Sequence, residues 1–499
     1  MSLVVFVVVA FAFAGATVAL RARARAVTIV GLTGLLATVV AALAIDPEQA
    51  VIIGDGGIAT TAYLRLFVVL GSLVGLGLAV AGLAAGTRRD APAVTLAILG
   101  AAGLTMGLVD VRAAVLVATA GGLFGVLVTL VPRGARAGAT VGIREARAVV
   151  VAGALAIAAT AWMGRDLSEI AAQPVVFGLA YLAFAVAVAM RFGAIPFHLW
   201  AARLTDVVPE TSLPILTALA PASLAVVALA WVDASVAPLP VDIGPERAIV
   251  IAIAIASIVL AAIAAFVQDD IEHVLGYSIV GDAGVVVLSL AALDPEAWAP
   301  ARTWILAFVV ARSAFAAWTA GIRAGFWTGR VADLRGWALR SPILAVAFIF
   351  VVVASVGVPA MASFDARTSL VELVLEGPLA TLVLLGTLAP LAYYGRLLAI
   401  GLSRPDRVLE PVDAWRPRVT APDLTGVRRW VSRTWDVNRA FSTATVAALL
   451  GALALATSAG AFGGPEAAAG PPPGPSSPTG FVEPVASGDL PLPVGSDAP

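Results

Sequence analysis

The feature that most constrains this chain is a succession of apolar runs, each about as long as a membrane is thick. A helix that crosses the hydrocarbon core of a bilayer needs about 20 mostly apolar residues. Within the 499 residues, such runs lie near 1–20, 26–44, 64–86, 92–109, 113–131, 148–163, 173–190, 212–232, 248–266, 274–293, 301–320, 342–362, 378–400 and 441–462. The sequence therefore predicts an all-α polytopic membrane protein with about 14 transmembrane helices.

Composition excludes several classes of protein. Hydrophobic residues make up 60% of the chain and charged residues 13%, whereas a soluble domain is about 45–50% apolar and about 25% charged. The formal net charge of -1 gives no case for nucleic-acid binding. All 31 basic residues are Arg, and there is neither Lys nor Cys. We therefore expect no catalytic centre, no metal site and no bound cofactor in this chain, because Cys-ligated clusters and thiolate nucleophiles are impossible.

The distribution of Arg predicts the orientation in the membrane. Arg residues gather in the segments after the odd-numbered runs, such as Arg88 and Arg89, whereas acidic residues such as Asp46 and Glu48 follow the second run. Loops rich in Arg remain in the cytoplasm. The sequence therefore predicts a multi-pass protein of the cell inner membrane with both termini on the outer side.

The chain divides into five predicted regions. Residues 1–90 hold the first transmembrane helices and 91–400 the main membrane core, while 441–463 form the last helix. Residues 401–440 mix Arg, Asp, Pro and Trp, and they form either an amphipathic helix along the cytoplasmic interface or a solvated loop. Residues 464–499 carry ten Pro and no Arg, which is typical of a disordered tail.

Two apolar runs are interrupted by helix-breaking residues beside charges. Near 191–200 and 355–367 the sequence predicts broken helices, at Pro196 in the first and at Gly357 and Pro359 in the second. Broken helices at membrane depth are tolerated where protein buries them or where they line a wet cavity. One interpretation is a hydrated polar path, and the other is that Pro only shapes helix packing. The candidate path residues here are Arg191, His198, Asp365, Arg367 and Glu372.

Asp282 and Arg312 complete the set of candidate site residues. Each lies eight or nine residues from the predicted cytoplasmic end of its helix, and the two helices are antiparallel neighbours. A helix rises about 1.5 Å per residue, so the two side chains should lie at the same depth. We expect an intramembrane ion pair, with either a static role in packing or a role in proton transfer.

Three segments resemble the antiporter-like subunits of respiratory complex I, and subunit N above all. RFGAIPFHLWAARLTDVVPETSLPILTALAPAS (191–223) is similar to the signature region of that family, DDIEHVLGYSIVGDAGVVVLSLAAL (269–293) to its tenth-helix segment, and GVPAMASFDAR (357–367) to its broken twelfth helix. A weaker similarity covers REARAVVVAGALA (144–156). The resemblance extends over about residues 90–400, so that 91–400 would be an antiporter-like proton-channel core.

The resemblance implies a membrane-arm subunit of a proton-translocating NADH:quinone oxidoreductase, a translocase of the electron transport chain. Its partners would be the other membrane-arm subunits, and NADH, FMN, iron–sulfur clusters and quinone would bind to partner subunits. Two alternatives stay open. One is a cation/proton antiporter or membrane-bound hydrogenase subunit of the same superfamily, and the other is a scaffold that pumps nothing.

The charged residues depart from the family's pattern. The Lys of the seventh helix falls at Arg191 and that of the twelfth at Arg367, while the Lys of the eighth falls at Leu224. The Glu of the fifth helix falls near Thr119, and the His of the tenth falls at Asp282. Arg stays protonated in proteins, so it cannot take turns as a proton acceptor. If protons move here, the titrating candidates are Asp282, Asp365 and Glu372, with His198 near the cytoplasmic mouth.

Overall fold

The computed structural model describes residues 2–47, 49–53, 56–86, 91–130, 136–163, 173–239, 241–404 and 426–462. The predicted tail at 464–499 lies outside these residues, and so does most of the predicted interfacial segment, residues 405–425. The described part is a bundle of helices with one short hairpin.

The first half of the bundle contains seven long helices. They are α1 (Leu3–Ala19), α2 (Ala24–Leu43), α3 (Ala62–Ala85), α4 (Ala91–Gly107), α5 (Val111–Leu130), α6 (Arg136–Trp162) and α7 (Pro174–Phe192). Between α2 and α3, β1 (Ala50–Ile53) pairs antiparallel with β2 (Gly56–Ala59), with Ala50 opposite Ala59. The hydrophobic runs did not predict this hairpin, because its strands are only four residues long.

The second half is less regular. Its helices are α8 (Leu199–Leu204), α9 (Ala220–Trp231), α10 (Gly244–Val267), α11 (Ile271–Ser289), α12 (Trp298–Phe326), α13 (Trp337–Arg340), α14 (Pro342–Val356), α15 (Ala362–Val374), α16 (Gly377–Thr387), α17 (Pro390–Leu402) and α18 (Gly426–Ser458). Wider π-helical turns, Ile215–Leu219 and Val232–Val236, continue α9 at either end.

The predicted fold class is confirmed. Each of the fourteen apolar runs lies on a helical segment. Within the described ranges, nine segments are long and apolar enough to cross a membrane, and four shorter apolar helices accompany them. The chain is a membrane-embedded polytopic protein. The largest shift in a boundary is in α18, which begins at Gly426 rather than near 441. α6 likewise begins at Arg136 rather than near 148, because a helix can continue into water without apolar residues.

Both predicted helix breaks are present. α7 ends at Phe192 and α8 begins at Leu199, while α14 ends at Val356 and α15 begins at Ala362. Gly357 has a φ of 68°, which a residue with a side chain rarely adopts. A third interruption, which was not predicted, separates α16 from α17 before Pro390. This interruption has the same cause as the break at Pro196, because Pro390 also lacks a backbone N–H donor.

The core of the bundle is built around α12. The membrane-spanning part of this helix is buried on all sides, and it packs against α3, α11, α14, α15 and α18. By contrast, α16 and α17 together bury only 28% of their span and present Leu379, Leu382 and Leu385 to the outside. Polar groups on α12 are therefore shielded from lipid by surrounding helices, which is where a charge can persist within a membrane.

Candidate functional site: a buried polar axis

The centre of the site is an ion pair between α11 and α12. Nε and Nη2 of Arg312 lie 2.6 and 2.5 Å from Oδ2 of Asp282. Arg312 is fully buried, and Asp282 is 7% exposed. The two residues thus form the contact that their positions in the sequence predicted, and removing either one would leave an uncompensated buried charge.

Aromatic residues hold this pair in place. Nη1 of Arg312 donates to the hydroxyl of Tyr394 on α17 at 2.5 Å. Nε1 of Trp304 donates to the backbone oxygen of Asp282 at 3.3 Å. The ring of Phe315 packs edge-on against Tyr394 at 5.4 Å between centroids. Two of the five donors of Arg312 therefore make hydrogen bonds, and Nη2 adds a close charge contact with Asp282. The geometry of the pair is thus fixed from both of its sides.

A small cavity with room for about one water molecule borders Asp282. The other groups that line it come from α10, α11, α12, α15, α16 and α17, and the polar ones include Tyr277, Ser278, Arg367, Thr387 and Tyr393. Asp282 therefore has on one side a fixed cation, and on the other a polar space that a proton-carrying water could occupy.

Arg367 reaches this cavity from the broken twelfth span. It is 2% exposed, and its guanidinium carbon lies 5.7 Å from the ring centroid of Trp304 and 5.5 Å from that of Phe364. Nη1 of Arg367 donates to the backbone oxygen of Thr387 at 3.5 Å, and its charge acts on Asp282. Asp282 is thus influenced by two Arg residues, one in direct contact and one across the cavity.

Asp365 and Glu372 do not join the cluster. Both are on the exposed face of α15, whereas Arg367 is buried. Asp365 and Glu372 are seven residues apart, which is about two turns of an α-helix, so they share one face. Arg367 lies two residues after Asp365 and therefore points the other way. Of the three predicted titrating carboxylates, the structure brings only Asp282 into contact with a buried Arg.

His198 approaches the cavity from the break after α7. Its ring packs against Tyr277 with 6.3 Å between centroids, and Tyr277 lines the cavity beside Asp282. Nδ1 of His198 is buried without a hydrogen-bond partner among the described residues, whereas buried polar atoms usually bind protein or ordered water. His198 therefore continues the series of polar side chains from the cavity toward the break after α7.

Charged residues surround an open vestibule at the end of the bundle where α11 begins and α12 ends. Nη1 of Arg323 lies 3.2 Å from Oε2 of Glu210 and 2.5 Å from Oε1 of Glu272. Nε2 of His273 lies 3.2 Å from Oδ1 of Asp206. Sequence reasoning missed this group as a site, although its members are close to the predicted ends of the spans.

α11 connects the vestibule with the centre. His273, Tyr277 and Asp282 follow one another along it, with separations of about 6 and 7.5 Å at a rise of about 1.5 Å per residue. Proton transfer over such separations needs intervening water or mobile side chains, because a hydrogen bond spans only about 3 Å. The arrangement is therefore a series of polar positions and not an unbroken chain of hydrogen bonds.

Arg191 is in the last turn of α7, and Pro196 is in the break that follows. Arg191 is 3% exposed and packs against α5; it is not among the residues that line the central cavity. The backbone of the break is held by side chains. The amide of Ile195 donates to Oγ of Ser257 at 2.9 Å, and Nε1 of Trp200 donates to the oxygen of Met190 at 3.0 Å.

Two further buried charges were missed from the sequence. Glu145 on α6 is 2% exposed and Arg302 on α12 is 1% exposed. The guanidinium carbon of Arg302 lies 3.9 Å from the ring centroid of Tyr63 and 4.9 Å from that of Trp298. Glu145 lies three residues before the run 148–163, and Arg302 is the second residue of the run 301–320. A search extended one turn beyond each run would have found them.

The positions of the family's other ionisable residues carry no charge. Leu224 is buried in α9, and the hydroxyl of Thr119 donates to the oxygen of Val115 in its own helix at 2.8 Å. Asp110 is exposed, and it accepts a hydrogen bond from the amide of Arg112 at the start of α5. Within the described residues, no group of three His, Asp or Glu side chains is arranged to hold a metal ion.

Residues 154–391 match the family described as NADH:quinone oxidoreductase/Mrp antiporter, transmembrane region. These residues include the central pair and both predicted broken helices. This part of the chain is therefore similar to that family. The resemblance found in the sequence is thereby confirmed.

Two curated members of this family illustrate the extent of similarity. A NADH-quinone oxidoreductase subunit N from Halorhodospira halophila is 29% identical over 229 residues, which are 45% of this chain and 46% of that protein. A protein of the same name from Hydrogenovibrio crunogenus is 25% identical over 228 residues, 45% of this chain and 47% of that protein. The chain thus spans about half the length of the curated relatives it matches.

Solved structures extend the similarity in fold to nearly the whole chain. A chain of the Mrp complex from Dietzia has a TM-score of 0.75 at 18% identity, with 95% of this chain and 97% of that chain covered. A chain of respiratory complex I from Thermus thermophilus has a TM-score of 0.64 at 18% identity, with 91% and 99% covered. At these identities the comparison shows that this chain shares the fold of those two chains.

Proposed function

We propose that this chain is a membrane-arm subunit of a complex I-like NADH:quinone oxidoreductase and that it moves protons through its buried polar axis. The observation that carries the proposal is the Asp282–Arg312 pair, buried beside a polar cavity at the centre of the bundle. The names of the curated relatives, NADH-quinone oxidoreductase subunit N, support this assignment over other members of the family.

In this proposal, Asp282 is the group that binds and releases the proton. Arg312 and Arg367 remain protonated and supply a fixed positive potential, since guanidinium groups do not deprotonate in proteins. His198 and Tyr277 lead from the vestibule to the cavity. The proton is taken up on a carboxylate oxygen of Asp282, held while the ion pair is weakened, and released when Arg312 regains its full interaction with the carboxylate.

The electron-transfer chemistry belongs to partner subunits in this proposal. NADH, FMN, iron–sulfur clusters and quinone bind there, and this chain supplies ion translocation within the membrane. It spans the cell inner membrane with both termini on the outer side, and the vestibule around Glu272 and Arg323 opens to the cytoplasm. The excess of Arg in segments on that side supports this orientation.

Proton uptake by the assembled complex in lipid vesicles tests the role of Asp282. With NADH as donor and a quinone as acceptor, Asp282→Asn should lower the number of protons moved per NADH oxidised while electron transfer continues. Asp242→Asn changes an exposed carboxylate at the start of α10 and should leave the ratio unchanged. An unaltered ratio in Asp282→Asn would favour a scaffold that moves no protons.

A second candidate is a subunit of an Mrp-type cation/proton antiporter. It is favoured by the Mrp chain from Dietzia, whose fold matches over 95% of this chain. Purification of the intact assembly distinguishes the two. Copurification of subunits that oxidise NADH supports the first proposal, whereas cation-dependent proton exchange in vesicles without NADH oxidation supports the second.

A further inference from the structure

A cluster of aromatic side chains lies between the central pair and the end of the bundle where α12 ends. It consists of Phe315 and Trp318 on α12, Trp337 on α13 and Phe348 on α14, and all four side chains are fully buried. Trp318 follows Arg312 by six residues, which places it about 9 Å nearer to that end of the bundle. We call these four residues the aromatic cluster.

The rings of the aromatic cluster pack directly on one another. The ring centroids of Trp318 and Trp337 are 5.1 Å apart, and those of Trp318 and Phe348 are 4.6 Å apart. Trp337 and Phe348 are separated by 5.4 Å, and Phe315 stacks on Trp318 at 5.7 Å. Aromatic rings in contact have centroids about 4.5–7 Å apart. The four rings therefore form one packed apolar layer contributed by three helices.

The polar atoms of the two indole rings bond within the protein. Nε1 of Trp337 donates to the backbone oxygen of Leu397 on α17 at 3.1 Å, and Nε1 of Trp318 donates to that of Leu344 on α14 at 3.1 Å. An indole has one donor and no acceptor. The hydrogen-bonding capacity of both rings is thus used without water, so the layer is apolar throughout.

The aromatic cluster reaches the residue that supports Arg312. The ring of Tyr394 packs against Phe315 at 5.4 Å and against Phe348 at 5.8 Å between centroids. The hydroxyl of Tyr394 accepts the hydrogen bond from Nη1 of Arg312. The cluster therefore begins directly behind the central pair and extends from there toward the end of α12.

The opposite face of α12 is polar. Arg312 and Arg323 are eleven residues apart, about three helical turns, and both contact carboxylates of α11, Asp282 and Glu272. Trp318 precedes Arg323 by five residues, so it points about 140° away from it. The central pair can thus be approached along two faces of α12, of which one leads to the charged vestibule and the other is filled by aromatic rings.

We propose that the aromatic cluster is a seal that keeps water from reaching the central pair between α12, α14 and α17, so that Asp282 is accessible from the vestibule side alone. An apolar constriction excludes water because wetting it is unfavourable. A second wet route to the same carboxylate would let protons return without doing work. The use of the single route by protons rests on the proposed function, whereas the exclusion of water does not.

Thiol labelling tests the seal, because the chain has no Cys of its own. Ser278→Cys places a single thiol in the cavity beside Asp282, where a small charged thiol reagent arrives only through water. In everted membrane vesicles that hold the intact assembly, adding Trp337→Ala should raise the labelling rate by at least about tenfold, since the barrier to water is lowered. Trp337→Phe keeps an apolar ring and should restore slow labelling. Equal rates with and without Trp337→Ala would overturn the proposal.

Trp231→Ala is the matched control. Trp231 is a buried indole on α9 that packs 4.9 Å from Phe184 between centroids, outside the aromatic cluster. Its removal leaves a cavity of similar size without opening the seal, so the labelling rate should stay low. A rate as high as that of Trp337→Ala would indicate a general loosening of the bundle and would contradict the proposal.

Phe348→Ala covers the case in which Trp337→Ala fails to fold. It removes a ring of the seal from a different helix and should also speed the labelling of Ser278→Cys, so slow labelling of this variant contradicts the proposal. Labelling requires neither NADH oxidation nor proton transfer. A normal proton ratio in Asp282→Asn would therefore count against the proposed function and not against the seal.

Discussion

The bundle contains two buried carboxylate–Arg pairs that are built in different ways. In the central pair, Asp282 and Arg312 are joined by two short contacts, held by Tyr394 and bordered by a cavity. In the second pair, Glu145 and Arg191 lie against a glycine face of α5, formed by Gly122 and Gly125, which leave the space that the two side chains fill. Hydrogen bonds position the first pair, whereas the space beside the two glycines positions the second.

The comparison shows how a chain without Lys can still hold titratable groups in a membrane. Each pair combines a permanent cation with a carboxylate, so the carboxylate is the member that can change its charge. The cavity leaves room for about one water molecule beside Asp282, whereas Glu145 and Arg191 are enclosed by the glycine face, Val149 and Leu216. We therefore expect the two sites to respond differently to substitution.

The largest effect should come from breaking the central pair. Asp282→Asn and Arg312→Gln should each lower the free energy of unfolding by about 3–5 kcal/mol, because each leaves one buried charge unpaired. The double variant should lose at least about 1 kcal/mol less than the sum of the two. Thermal and denaturant unfolding of the purified chain in detergent measure this. Simple additivity would contradict direct contact between the side chains.

A smaller effect is expected at the glycine face. Gly122→Ala places a methyl group 2.6 Å from Nη2 of Arg191 and 2.8 Å from its Cζ, so the buried guanidinium must shift. We expect a loss of about 1–3 kcal/mol, as for other overpacked sites, with the central pair unaffected. Gly395→Ala, where a Cβ has no neighbour within 4 Å, is the matched control. Equal stability of the two variants would show that Arg191 does not depend on the glycine face.

The smallest effect concerns the break after α7. Ser257→Ala removes the acceptor for the amide of Ile195 and should cost about 1–2 kcal/mol, because a buried donor loses its partner. Ser223→Ala is the control, since that hydroxyl only donates to Ala220 within its own helix. Ser257→Ala should therefore have a lower unfolding midpoint than Ser223→Ala. Should Ser223→Ala prove the more destabilising, the break would not depend on α10.

The general architecture could be predicted from the sequence because lipid imposes strict rules. Each of the fourteen apolar runs coincides with a helical segment. Pro196, Gly357 and Pro359 located two breaks, since a missing donor or a positive φ is a local property. The Asp282–Arg312 contact also followed from equal depth on neighbouring helices. These features depend on one segment or on a pair of adjacent segments.

Features that depend on several helices at once could not be predicted. Asp365 and Glu372 were grouped with Arg367 because they are close in sequence, yet helical rotation turns them to the exposed face. Glu145 gained significance only when α5 was seen to present glycine to both it and Arg191. The vestibule likewise joins the start of α11, the end of α12 and the segment after α8. Contacts of this kind, between segments distant in sequence, depend on tertiary packing.

The hydroxyl of Ser257 has a consequence for how the two halves of the molecule move. Ser257 holds the break that follows Arg191, and the next residue along α10, Ile258, lines the cavity beside Asp282. A small rotation or slide of α10 would therefore change the cavity and pull on the end of α7 in one motion. α10 thus connects the end of α7 with the cavity beside Asp282, and coupling between these two regions would need no continuous file of water.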